Sequence, residues 1–124
     1  MAGIFGNAGQ CNYSAAKAGI MGLTMTLAKE WGRLQTTVNC VACGFIKTRL
    51  TEATADGNAT ANIEGREIKV GVNPDLMATI ERNIPLGRGG TPDDAAGAVY
   101  LFCIPESDYV SGQTLVCSGG LTGL

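Results

Sequence analysis

Two residues in this chain have the chemistry and the spacing for proton transfer. They are Tyr13 and Lys17, in the stretch Gly9-Gln-Cys-Asn-Tyr-Ser-Ala-Ala-Lys-Ala-Gly19. One helical turn apart, they project from the same face with their side chains in reach of each other. A free phenol has a pKa of about 10, and a nearby ammonium favours its charged form, which makes Tyr13 a candidate general acid or base close to neutral pH. A plainer reading stands beside this one. Tyr and Lys recur at this spacing by chance, and the pair alone describes a solvated helix face at least as well as a site.

The element that must carry the pair is a long helix, expected from Asn12 as N-cap to about Trp31, with Gly32 supplying a left-handed C-cap. Ile20, Leu23, Leu27 and Trp31 line one face at helical spacing, and Ala18, Met21, Met25 and Ala28 line a second. A helix apolar on two sides wants two partners. A sheet and a neighbouring subunit would serve, and so would two intrachain surfaces. Ahead of the helix, Gly3, Gly6 and Gly9 punctuate a loop. Their spacing is not that of a dinucleotide fingerprint, and no strand precedes them.

After the helix, Thr36 to Cys43 is short, β-branched and apolar, and Gly44 ends it: a buried strand of the parallel-sheet type. Residues 49–72 show no sustained period and form a candidate lid, within which Ile63 to Val70 suggests a small hairpin around Gly65. Asn73-Pro74-Asp75 opens a helix that carries Leu76, Met77 and Ile80 and ends near Asn83. Thr91-Pro92-Asp93-Asp94 opens another, with a capping hydroxyl, a proline in the first turn and acids at the positive end of the dipole. That helix is expected to bury Ala95, Val99 and Phe102 and to stop before Pro105. Val110 to Cys117 reads as the last strand.

Composition narrows the class. With 124 residues, 45% of them hydrophobic and 16% charged, the chain suits one globular domain that buries roughly two-thirds of its unfolded surface. A net charge of -2 without a basic cluster gives no footprint for nucleic acid. No apolar run approaches the length of about 20 residues that spans a bilayer, and no charged region followed by an apolar one opens the chain, so the expectation is a soluble, cytoplasmic protein without a membrane partner. The five cysteines, Cys11, Cys40, Cys43, Cys103 and Cys117, are odd in number and sit in apolar or strand-like runs, which points to reduced, buried thiols. Cys40-Val-Ala-Cys43 matches a redox or half-zinc spacing, but a chain with no His and no second such pair gives it little support, and no metal is expected.

Gly6 to Gly19 resembles the catalytic segment of the short-chain dehydrogenase/reductase family, and its closest look is to the 3-oxoacyl-(acyl-carrier-protein) reductase branch. The resemblance continues through Cys43-Gly44-Phe-Ile-Lys-Thr48, similar to the family's Pro-Gly-x-(Ile/Val)-x-Thr turn with Cys43 in place of Pro. It extends through Ile84-Pro-Leu-Gly-Arg-Gly-Gly-Thr-Pro-Asp-Asp94, and through Cys117-Ser-Gly-Gly120, where the family usually has Val-Asp-Gly-Gly. It implies that Tyr13 passes a proton to a substrate carbonyl oxygen while nicotinamide delivers hydride, and that Lys17 binds the nicotinamide ribose and lowers the tyrosine pKa. Gly44, Ile46 and Thr48 would then hold the nicotinamide of NAD or NADP, with a small carbonyl or hydroxy compound as substrate.

The implied fold is α/β, a partial Rossmann-like doubly wound domain. Only its C-terminal half is expected over residues 1–124: the long Tyr-Lys helix, two parallel strands, a lid and two further helices. The nucleotide-binding half, with its glycine-rich turn and the catalytic Ser, would lie ahead of Met1. An exposed strand edge and the apolar stripe of the long helix then call for a homo-oligomer. Two functions compete. One is the catalytic and oligomerising half of an NAD(P)-dependent carbonyl reductase, inactive by itself. The other is a non-enzymatic oligomerisation or interaction module derived from that fold.

Overall fold

Helix α2, Cys11–Trp31, is the axis on which the rest is arranged in the computed structural model, which describes residues 2–48, 60–63, 66–69 and 74–121. Its N-cap is Gln10, two residues earlier than the Asn12 its sequence signals suggest, and makes no side-chain cap. Asn12 sits inside the first turn instead, where its Oδ1 accepts the Tyr13 N–H at 2.9 Å and serves one of the donors a helix start leaves open. At the other end Gly32 is right-handed (φ -55), not left-handed. The chain tightens into a 3-10 turn over Gly32–Leu34, and the left-handed residue is Gln35 (φ 56), whose N–H donates to the Gly32 carbonyl at 3.0 Å.

The glycine-rich start is not all loop. Ala2–Phe5 forms a short helix, α1, that packs on α2. Small residues make this possible, because a Cβ on Gly3 would lie 2.6 Å from the backbone of both Lys17 and Ala18.

Strands β1, Cys40–Cys43, and β4, Thr114–Cys117, pair in parallel with Cys40 opposite Thr114 and Cys43 opposite Cys117. This is the two-stranded parallel sheet the sequence suggests, but each strand is shorter than expected. The residues ahead of them are joined by backbone bonds, Gly112 N–H to the Val38 carbonyl at 2.7 Å and Cys40 N–H to the Gln113 carbonyl at 2.9 Å, with side-chain bonds between them. The Val38 N–H donates to Ser111 Oγ at 3.1 Å, Asn39 Nδ2 to the Val110 carbonyl at 2.7 Å, and the Gln113 N–H to Asn39 Oδ1 at 3.0 Å. Among the described residues no third strand joins this sheet. A separate antiparallel hairpin is formed by β2, Thr60–Ile63, and β3, Arg66–Lys69, with Ile63 opposite Arg66, on either side of the glycine expected at its turn. The rest of the expected lid lies outside the described residues.

Helix α3 spans Pro74–Asn83, its expected range, and its proposed cap Asn73 lies outside the described residues. Helix α4, Pro92–Tyr100, starts as its sequence dictates: Thr91 Oγ1 accepts the Asp94 N–H at 3.1 Å while Asp94 Oδ2 accepts the Thr91 N–H at 2.8 Å, a reciprocal capping box. Its buried face differs from expectation. Ala98 is the buried residue, Ala95 and Phe102 are half-buried, and Val99 is exposed. Small residues let α4 lie close against β4, and this turns Val99 aside.

Burial is well short of what the composition suggests. Ile84 (2% exposed) and Ala98 (7%) are the buried apolar residues among those described. Leu23, Met25 and Trp31 on α2, and Tyr100, Leu101 and Tyr109 after α4 begins, are exposed. The cysteines share this fate: Cys11, Cys43 and Cys103 are exposed, Cys40 and Cys117 half-buried, and all five are free thiols. The expectation that they are buried is therefore corrected, because the layers that would cover them are thin. No helix among the described residues is long and apolar enough to cross a membrane.

Candidate active site

A cavity of about 1040 Å³ opens between α1, the first half of α2, β1 and the turn that follows β1. Tyr13, Lys17, Gly44 and Ile46 all line it, so four of the five residues singled out in the sequence meet at one site. Thr48, exposed, is not among its lining residues.

Lys17 Nζ stands over the Tyr13 ring, 5.3 Å from its centroid, in cation–π contact. Helical spacing produces this arrangement: both residues rise from one face of α2 toward the opening, and Tyr13 keeps half of its surface accessible. The result is a phenol and an ammonium on one wall. Phe45 and Ile46 add apolar lining to the same cavity.

The Gly44–Lys47 turn is held from three directions. Gly44 donates its N–H to the Cys117 carbonyl at 2.8 Å and passes so near Ser118 that a Cβ there would come within 2.8 Å of its Cβ. Ile46 is bridged to Gly90 in parallel: the Lys47 N–H donates to the Gly90 carbonyl at 2.7 Å and the Gly90 N–H to the Phe45 carbonyl at 2.9 Å. Glu81 of α3 then joins turn and connection, pairing with Lys47 Nζ at 2.5 Å and accepting the Gly89 N–H at 3.0 Å. The Lys47 contact first, and the Gly89 N–H second, hold the Glu81 carboxyl below its ordinary pKa.

The 84–94 connection is organised around one ion pair. Arg88 grips Asp94 through two bonds, Nη1 to Oδ2 at 2.6 Å and Nη2 to Oδ1 at 3.2 Å, and Asp94 also accepts from Thr91. Arg88 first, with the Thr91 bonds behind it, holds the Asp94 carboxyl well below the usual carboxylate range. The guanidinium thereby locks the helix cap and fixes Gly89 and Gly90 where they support Ile46.

Sequence reasoning missed three contributors: α1 as a cavity wall, Glu81 as a strut, and Arg88 as the partner of Asp94. The signal for the first was available in Ala2-Gly3, since small residues permit close helix approach. The Lys47–Glu81 pairing joins segments distant in sequence, and Arg88 and Asp94, six residues apart across an irregular connection, stand at no helix or strand spacing that marks a pair.

Cys40 and Cys43 stand at the two ends of β1, about 10 Å apart along the strand and on opposite faces, so they do not form a chelating pair. Among the described residues no group of three or more His, Cys, Asp or Glu side chains comes together.

Comparison with known proteins agrees with the motifs. The family model described as enoyl-(acyl carrier protein) reductase matches residues 1–122. The chain is 40% identical over 119 residues to the 3-oxoacyl-(acyl-carrier-protein) reductase of Vibrio harveyi, covering 96% of this chain and 41% of the relative. It is 42% identical over 117 residues to that of Chlamydia pneumoniae, covering 94% and 40%, and 40% identical over 122 residues to that of a Synechocystis strain, covering 98% and 41%. The chain thus spans about two-fifths of the length of these curated relatives.

Proposed function

The chain belongs to the short-chain dehydrogenase/reductase family of oxidoreductases, and we propose that these 124 residues are the C-terminal, catalytic and oligomerising part of an NAD(P)-dependent carbonyl reductase domain of the 3-oxoacyl type. The observation that carries this reading is the convergence of Tyr13, Lys17, Gly44 and Ile46 on one cavity. Its volume of about 1040 Å³ lies just above the roughly 300–1,000 Å³ typical of small-molecule sites. A hydroxyl and an ammonium together with apolar side chains in one lining suit an amphipathic nicotinamide riboside.

In this reading the cofactor, when bound, supplies the hydride. The chain's own part is the proton. Tyr13 Oη donates it to the carbonyl oxygen of the substrate, and Lys17 holds the ribose and keeps positive charge beside the phenol as the oxygen loses its proton. Gly44 and Ile46, braced by Gly90, border the nicotinamide, and Thr48 follows two residues beyond them. We assign the working protein to the cytoplasm, in keeping with five free thiols.

Orientation of the cofactor requires contacts these residues do not make, and proximity effects in such reactions are worth roughly 7–11 kcal/mol. Residues 1–124 alone are therefore expected neither to bind NAD(P)H tightly nor to reduce a 3-oxoacyl-type ketone. Fused behind a family N-terminal half that contains the glycine-rich turn and the Ser, they should gain both properties. The test is nucleotide titration by fluorescence and a steady-state reduction assay on both forms. A fusion that folds and binds nucleotide yet reduces no ketone would defeat the proposal, and turnover by residues 1–124 alone would defeat its claim of dependence on the other half.

A further inference from the structure

Cys43 and Cys117 are partners in register at the carboxyl end of the β1–β4 ladder. Residues directly opposite on adjacent parallel strands point to the same face, with Cα atoms about 5 Å apart, inside the roughly 4.4–6.8 Å range that a disulfide spans. Cys40 has no such neighbour, since Thr114 stands opposite it. The two thiols are unequal. Cys43 is exposed and Cys117 half-buried, and burial first, then the nearby Cys43 and Asp94, raises the Cys117 pKa. In the reduced chain Cys117 Sγ rests 3.7 Å from the Asp94 carbonyl, on the α4 side of the sheet.

We propose that Cys43 and Cys117 form a reversible dithiol/disulfide pair, a modification site for small-molecule disulfides of the glutathione class. The Cys43 thiolate, as the accessible member, attacks one sulfur of the small disulfide, forming a mixed disulfide and releasing one small thiol. Cys117 loses its proton to solvent and attacks the Cys43 sulfur, and the second small thiol leaves. Two protein thiols are thereby oxidised by two electrons, and one small disulfide is reduced to two thiols. Cys117 is the slower partner, because a raised pKa leaves little thiolate at neutral pH. The new bond ties β1 to β4 one residue before Gly44 and draws Cys117 Sγ off the Asp94 carbonyl. This pairing does not depend on any catalytic role for the cavity.

The experiment uses the full 124-residue chain carrying Cys40→Ser and Cys103→Ser, equilibrated in glutathione buffers from fully reduced to fully oxidised, then alkylated, digested with trypsin and analysed by mass spectrometry. The expected product is one intrachain link between the peptide ending at Lys47 and the peptide beginning at Gly89, with both thiols lost to alkylation together. Its midpoint should lie at a more reducing buffer ratio in the folded chain than in guanidinium, and Cys43→Ser should abolish it. Sequencing the same link by fragmentation in the unsubstituted chain reads the outcome even if the doubly substituted background folds poorly. Thiols that stay alkylatable in fully oxidised glutathione, separate glutathione adducts on each cysteine, a link between two chains, or an equal midpoint in guanidinium would each overturn the pairing.

Discussion

Gly3 and Lys17 are in backbone contact: a Cβ on residue 3 would lie 2.6 Å from the Lys17 carbonyl carbon and 2.9 Å from its Cβ. The lysine of the site is thus seated by a glycine on a different helix. Gly3→Ala should push α1 outward and destabilise the fold by about 1–3 kcal/mol, as overpacking does. Gly19, also helical, meets nothing within 4 Å, so Gly19→Ala should instead stabilise by about 0.5–1 kcal/mol. Urea denaturation of the two variants gives the comparison, and equal effects would show that the α1–α2 contact is not tight.

For Tyr13 and Lys17 the expectation is a division of labour, measured in the fusion with a family N-terminal half. Tyr13→Phe removes the proton donor and should lower kcat by about 10²–10⁴-fold with nucleotide affinity nearly unchanged. Lys17→Ala should damage both. A fully active Tyr13→Phe protein would remove the tyrosine from the chemistry.

Acid stability should follow Asp94 and Glu81. Both carboxyls are depressed in the folded chain, by Arg88 and by Lys47 respectively. A depressed carboxylate adds stability that is present above its unfolded pKa, about 3.9 for Asp and 4.3 for Glu, and is lost as pH falls through the folded value. Urea midpoints should therefore be level above about pH 5 and decline below it, and Asp94→Asn should flatten the most acidic part of that decline. Thr91→Ala, which removes the cap, should cost about 1 kcal/mol at neutral pH.

Gly44→Ala places a Cβ within 2.8 Å of the Ser118 Cβ and 2.9 Å of its Cα, a clash with backbone that cannot swing away. The variant should lose about 1–3 kcal/mol and, in the fusion, bind nucleotide more weakly. Unchanged nucleotide affinity would separate this turn from the cofactor site.

The thin core predicts assembly. With Ile84 and Ala98 the buried apolar residues among those described, and Leu23, Met25 and Trp31 exposed along α2, a monomer has little to hold it. Sedimentation at micromolar concentration should show oligomers, and a monodisperse, cooperatively unfolding monomer would refute this.

What the sequence revealed and what it hid divide along physical lines. Local signals were legible: the α2 period, the Thr91-Pro92-Asp93-Asp94 start and the β2–β3 hairpin were readable from short windows, while the parallel pairing of two distant strands came from the family resemblance. The Tyr13–Lys17 juxtaposition was legible too, because one helical turn fixes it. Hidden were features decided by other segments. Asn12 looked like a cap but lies inside the first turn, where it accepts the N–H of Tyr13, the third residue of the helix. Val99 looked like core, but small neighbours let α4 turn it outward. The thiols looked buried because their neighbours are apolar, yet burial depends on covering layers that a window of sequence does not contain.

The parallel pairing of β1 with β4 has a cost in time as well as in geometry. Cys40 meets Thr114 across a loop of roughly seventy residues, whose closure entropy is about 4 kcal/mol before any strand hydrogen bond forms. Four residue pairs do not offset that quickly, whereas α2, α4 and the β2–β3 hairpin close over short spans. Such non-local contacts slow folding, so the sheet should be the last element to join. The cavity wall built on β1 would then be absent from a chain caught midway, even one whose Tyr13 and Lys17 already share a helix face.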